Sequence, residues 1–471
     1  MIIKQNEATS PAIGAWRHSA ALAGAMPVLF LIFAFLLGGG SRSDIASLPV
    51  LRGVSIVVAF WAMTQMRKED WARIAVPLAL LLALTAWIAL QLVPLPPSVW
   101  QSFPGRETVA AIDGILGQPE IWRPISLTPS LTLNSLLAMS VPIAALMLAS
   151  RVVPEDYPRL MQVIVGIACF SVVLGLVQVM AGPSSPAYLY RISNNDSMIG
   201  LFANRNHHAV FLACCIPLSA ALFRDELMRK RRRAWWIGGS LAAMMLLTAM
   251  TVLIGSRAGF VAGVAGFAAG YAMMLVASGM GPRQVAPSPV KRWLAYLPPV
   301  LLLVLLGVAF WMSSRVTGLT RVVSQDVVAD LRVQAWPTVR AMVETYWGVG
   351  SGFGSFPRVY TVFEPDALLQ RAYFNRAHND WAEILMTGGL PALTILFAAL
   401  FWIGRCVWKR GVTNLVKGFR GDVRLPALLL ILFLGAASVV DYPLRVPSIQ
   451  VFSVMIIVLL CCPAPRKIAI N

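Results

Sequence analysis

From His207 to Ser278 the chain reads HHAVFLACCIPLSAALF (207–223), RDELMRKRRRA (224–234), WWIGGSLAAMMLLTAMTVLI (235–254), GSR (255–257) and AGFVAGVAGFAAGYAMMLVAS (258–278). Three apolar runs of spanning length are separated first by a basic loop and then by three residues. A helix crossing the hydrocarbon core needs about 20 mostly apolar residues. Backbone groups in lipid must be satisfied internally, so runs like these are helical. The same pattern extends outward in both directions. Apolar runs lie at 21–39, 48–66, 74–94, 131–150, 160–181, 207–223, 235–254, 258–278, 294–312, 388–405, 425–440 and 446–462, twelve in all. The chain is 58% hydrophobic and only 13% charged, about half the charge of a typical soluble protein. An all-α, polytopic integral membrane protein of about 12 spans follows. The first run is too long for a signal-peptide core and is read as an uncleaved span.

Charge sets the orientation. With the N-terminus in the cytoplasm, the inner segments hold 24 of the 39 basic and 8 of the 21 acidic residues, a net of +16. The outer segments keep 15 basic and 13 acidic, a net of +2. That is the positive-inside bias, and an error of one span would reverse it from that point onward. Both termini are therefore expected in the cytoplasm. The basic run Arg229-Lys230-Arg231-Arg232-Arg233 becomes a topology anchor ahead of the interfacial Trp235 and Trp236, and no nucleic-acid partner is implied. All six cysteines lie in apolar runs, so neither a disulfide framework nor a zinc site is expected.

The long outer segments then draw attention. Spans 1–9 occupy residues 1–312, a loop domain 313–379, and spans 10–12 residues 380–471. Shorter outer segments run from Pro94 to Ser130 and from Gly182 to Asn206. Every lysine is on the inner side, so each outer cation is an arginine, whose planar fork suits diphosphate or carboxylate contacts. Arg257, in the Gly255-to-Gly259 turn, is the first candidate for a diphosphate, with Arg191 and Arg205 next. His378, at the junction between the loop and the next span, is the candidate general base. Asp380 and Glu383 stand ready to orient it or to cap the helix that follows. Adjacent His207 and His208 point about 100° apart on a helix and make a poor metal pair. Gly348-Val349-Gly350-Ser351-Gly352-Phe353-Gly354 lacks the preceding strand of a dinucleotide loop and reads as a backbone turn.

These residues in this order resemble the O-antigen ligase and Wzy-type polymerase superfamily. The resemblance rests on Gly200 to His208, Ser256-Arg257, the Gly348-to-Gly352 turn with Phe356 and Tyr360, His378-Asn379 with Gly389 beyond, and Asp441-Tyr442-Pro443-Leu444-Arg445. It covers about residues 195–450. Two positions depart from the family pattern: Ala392 stands where a second glycine is usual, and Asn204-Arg205-Asn206 where Asn-Pro-Asn is common. The resemblance implies a GT-C-like membrane enzyme in the bacterial inner membrane. It would transfer a glycan from undecaprenyl diphosphate to a periplasmic acceptor: lipid A core, a growing glycan or a protein serine. His378 would be the base, supported by Asn379, Asp380, Glu383, Asp441 and Arg445, with inversion and with no metal or cofactor. Ligation is favoured over polymerisation by the modest loop and the absence of a fused C-terminal domain. A flippase or transporter would instead place polar residues near span midpoints, where few occur.

Overall fold

The computed structural model describes residues 11–279, 296–300, 302–304, 327–369, 374–411 and 415–462, with side chains from residue 24 and not for 327–331. The described chain is almost entirely helical. Its long helices are α1 (Pro11–Leu37), α2 (Ser47–Gln65) and α3 (Lys68–Leu90). The short α4 (Pro97–Trp100) and α5 (Glu107–Ile115) follow, then α6 (Pro129–Ala138), α7 (Ser140–Ala149), α8 (Tyr157–Ala181), α9 (Arg205–Leu227), α10 (Ala234–Leu253) and α11 (Arg257–Ala277). After the gap come α12 (Val327–Tyr346), α13 (Phe356–Phe363), α14 (Asp380–Lys409), α15 (Arg424–Val440) and α16 (Pro447–Cys461). The sole strand pairing among the described residues is a two-residue bridge of Pro94–Leu95 with Arg123–Pro124.

Seven helical stretches are long and apolar enough to cross a membrane: α2, α3, 129–149, 154–181, α10, α11 and α14. Residues 24–37, α15 and α16 are apolar but shorter. Eleven of the twelve expected runs fall on helices, whereas 294–312 lies mostly outside the described residues. The expected span at 207–223 sits on α9, whose last turns carry Arg224, Asp225 and Glu226. That helix is buried from His207 to Glu226, and α8, α10, α11 and α15 pack around it. Its charges are held by protein rather than lipid. Arg224 reaches Asp225 at 3.0 Å and the Asp422 carbonyl at 2.8 Å, while Asp225 accepts from the Gly421 amide at 2.9 Å.

The loop domain is described from Val327 onward, and its expected part 313–326 lies outside the described residues. α12 and α13 share a small core of Met342, Tyr346, Phe356, Val359, Tyr360 and Met386. Each buried aromatic there contributes roughly 1.5–3 kcal/mol. The glycine-rich segment is indeed a turn, and it wedges against α14. Ser351 and Gly352 amides donate to the Met386 and Thr387 carbonyls at 3.0 Å each. Leu390 in turn donates to the Trp347 and Gly348 carbonyls at 2.8 and 3.0 Å. α14 breaks where it meets this wedge, at Gly389, with φ 66°. Gln91 pins the junction by donating to the Val349 and Thr387 carbonyls and accepting from the Phe353 amide.

A Cβ at position 389 would lie 2.4 Å from the Gly348 carbonyl oxygen, in a left-handed conformation as well. Gly389→Ala is therefore expected to cost more than the roughly 1 kcal/mol of a left-handed alanine alone. Gly53→Ala, which meets nothing within 4 Å, should leave thermal stability unchanged or raised. Melting temperatures in matched detergent check the contrast, and an unchanged value for Gly389→Ala would remove the wedge.

Candidate active site

One carboxylate organises this end of the bundle. Asp441 follows the last residue of α15, and its amide donates to the Ala437 carbonyl at 2.8 Å. Its side chain is buried and faces the N-terminus of α9. There the Asn206 side-chain amide donates to Oδ2 at 2.6 Å, and His207 Nε2 approaches Oδ1 at 3.7 Å. His378 Nδ1 lies 3.4 Å from the same Oδ1, which also accepts the Tyr442 amide at 3.0 Å. At 3.4 and 3.7 Å the two histidine contacts are longer than ordinary hydrogen bonds, as is common in resting catalytic sites. Both rings pack on Tyr442, with centroids 4.9 and 5.0 Å away.

Burial pushes the Asp441 carboxyl up, but the facing His207 and His378 nitrogens outweigh it and hold the group well below the usual carboxylate range. Burial draws the His378 imidazole below its ordinary value and Arg332 adds to this, while Asp441 and Glu383 pull the other way. The ring is accordingly neutral at neutral pH. With Nδ1 turned to Asp441, Nε2 is the nitrogen left for a substrate proton. The Tyr442 phenol is pushed up to about 12 by burial, with Asp441 adding.

His378 is the one non-glycine residue with positive φ among the described residues, at 50°. Such a conformation costs about 1–3 kcal/mol and persists only where neighbours impose it. The flanking chain is gripped on both sides. Asn379 caps α14, its side chain accepting from the Ala382 amide at 3.0 Å. Glu383 accepts from the Ala377 amide at 3.0 Å. Asp380 and Glu383, read from the sequence as orienting His378 or capping the helix, do not hydrogen-bond to His378, and the cap is Asn379. They form a buried ionic cluster instead. Asp380 takes Arg445 at 3.3 Å, Ser438 at 3.1 Å and the Leu444 amide at 3.3 Å. Glu383 takes Arg376 at 3.0 Å and Arg445 at 3.4 Å. Arg376 reaches on to the Ser41 carbonyl at 2.8 Å. The residue that faces the His378 ring is Asp441.

A cavity of about 900 Å³ opens in front of His378. Its walls bring together the segments expected outside: 194–207, the 255–258 turn, α12, 377–379 and 437–443. A second cavity of about 500 Å³, at Pro154–Pro158, Arg410, Phe419–Arg424 and Leu459–Leu460, gathers segments all expected inside. Arg257 and Arg205 line the first cavity, as does Arg332 of α12, which sequence reading did not single out. Arg332 donates to the Val440 carbonyl at 3.3 Å. Arg191 is 87% exposed, 3.6 Å from Asp44, and outside the cavity wall. His207 faces Asp441, whereas His208 turns away to the Met198 carbonyl at 3.0 Å.

The class is thus a polytopic helical membrane protein carrying a histidine–carboxylate pair on a cavity lined by arginines. Residues 241–397 match the family described as O-antigen ligase, which supports the resemblance to the O-antigen ligase/Wzy superfamily read from the sequence. The match takes in Arg257, Arg332, His378 and Gly389, while His207 and Asp441 lie outside it. No curated protein matches the chain.

Removing a partner from a buried ionic cluster typically costs about 3–5 kcal/mol, against near zero for an exposed pair. Arg445→Ala is expected to lower the melting temperature sharply and Arg191→Ala to leave it in place. Equal effects in thermal unfolding would contradict the assignment of the two arginines.

Proposed function

We propose that the chain is a bacterial inner-membrane glycosyltransferase that moves a glycan from undecaprenyl diphosphate onto a periplasmic acceptor. It would span the membrane twelve times, with both termini in the cytoplasm, the loop domain 313–379 outside and spans 10–12 within 380–471. The observation that carries this reading is His378, backed by buried Asp441, at the mouth of a cavity whose other walls present Arg205, Arg257 and Arg332.

A sugar on a diphosphate is already activated, so the chemistry needs a base and cations rather than a glycosidase's pair of carboxylates. His378 Nε2 takes the proton of the acceptor hydroxyl. The acceptor oxygen attacks the anomeric carbon, and the bond to the diphosphate oxygen breaks. A single displacement inverts the configuration. The departing diphosphate carries its charge onto the guanidinium groups of Arg257, Arg205 and Arg332. Arg191 is left out of this set because it points away from the cavity. Neither a metal nor a cofactor is called for. Lipid A core is the acceptor in this reading; a Wzy-type polymerase would use a growing glycan at the same site.

His378→Ala is expected to lower transfer by on the order of 10²–10⁴, and Arg257→Ala or Arg332→Ala by on the order of 10²–10³. The check is the surface polysaccharide profile of the native host at matched expression. Loss of polymer from lipid A with long undecaprenyl-linked chains accumulating supports ligation; accumulation of single repeat units supports polymerisation. An unchanged profile in His378→Ala removes the base.

A further inference from the structure

Asp441 Oδ1 is approached by two buried ring nitrogens, His378 Nδ1 from the lead-in to α14 and His207 Nε2 from α9, and neither nitrogen makes a hydrogen bond of ordinary length. We propose that His207 is a positioning residue: together with Asn206, it clamps the Asp441 carboxylate so that Oδ1 faces His378 Nδ1 and holds that ring in one tautomer. The inference rests on the reading of His378 as base and extends it to a residue outside the matched family stretch.

The geometry constrains the roles. Asn206 fixes Oδ2 from the first turn of α9 and the Tyr442 amide holds Oδ1 at 3.0 Å, which leaves the tilt of Oδ1 between the two rings as the remaining freedom. His207, one residue on, closes that freedom from the other side. The α9 terminus is itself held, because Asn204 caps it by accepting from the Asn206 amide at 2.8 Å. His207 belongs to the cavity wall, but its ring is 3% exposed and turned to Asp441 and Tyr442. An aimed carboxylate favours the imidazolium that forms when His378 takes a proton. The other groups facing His378 are Arg332 on α12, Glu383 on α14, Tyr442 beyond α15, and the Phe374 ring, 6.2 Å away. None of these supplies a second anion at Nδ1.

The chain has only four histidines, so the imidazole ¹⁵N spectrum of full-length protein in lipid nanodiscs can be assigned by loss of the His378 signals in H378A. With the wild-type residue at 207, His378 should show a single tautomer protonated at Nδ1. In H207A its proton affinity should fall roughly tenfold, with mixed tautomers. H207Q, whose side-chain amide reaches the place of Nε2, should restore both, whereas the shorter H207N should not. A His378 titration in H207A identical to wild type would overturn the proposal. Should H207A fail to fold, identical wild-type titrations in H207Q and H207N would overturn it equally. Because this readout needs no glycan, it is separable from the functional reading: full transfer by H378A would sink the base while leaving the positioning of His378 by His207 standing.

Discussion

A buried carboxylate without compensation is among the most costly groups a protein can hold. Asp441 meets that cost by drawing three separate parts of the chain to itself. The α9 terminus brings Asn206 and His207, the lead-in to α14 brings His378, and the end of α15 brings its own backbone. Together with the links from Asp380 to Ser438, Leu444 and Arg445, the carboxylate ties these parts to one another at one end of the bundle. The cavity takes its shape from the same constraint. Arg257 at the start of α11, Arg205 at the start of α9 and Arg332 in the first turns of α12 reach it from three helices.

Around that centre the polar load is divided. Arg376 and Arg445 neutralise Asp380 and Glu383 in a cluster that stays clear of the cavity. The glycine turn and Gln91 take up the broken backbone of α14 at Gly389. Each cluster draws on partners of its own, so His378 is not competing with structural ion pairs for Asp441. Such division is what permits a neutral imidazole to sit beside a fully ionised carboxylate.

The bundle was legible in the sequence because membrane helices are dictated locally. A run of about 20 apolar residues suffices to mark such a helix, and the loops expected on a common side line a common cavity. The helix turn at Ser256 was also legible, since the small residues there let the chain reverse within three positions; Ser256 caps α11 by accepting from Gly259 at 3.2 Å. The wiring of the site was not. Asn206 and Asp441 are 235 residues apart, and nothing local to either says that they touch. His207 looked like half of a poor metal pair, and its neighbour does turn away. Asp380 and Glu383 were nearest to His378 in sequence and so drew the orienting role, although helix geometry sends them toward Arg445. Arg332 escaped notice because a single arginine in a polar loop carries no periodic signal. Arg191 stood out for being outside and basic, which its pairing with Asp44 explains.

At φ 50° a histidine is a poor choice for folding, and glycine or asparagine would relax the same turn. The chain thus carries a local stability cost at position 378 that its cap and the Ala377–Glu383 contact help it to hold. A substitution that relaxed the kink would make a sturdier molecule and would empty the place opposite Asp441 of its imidazole.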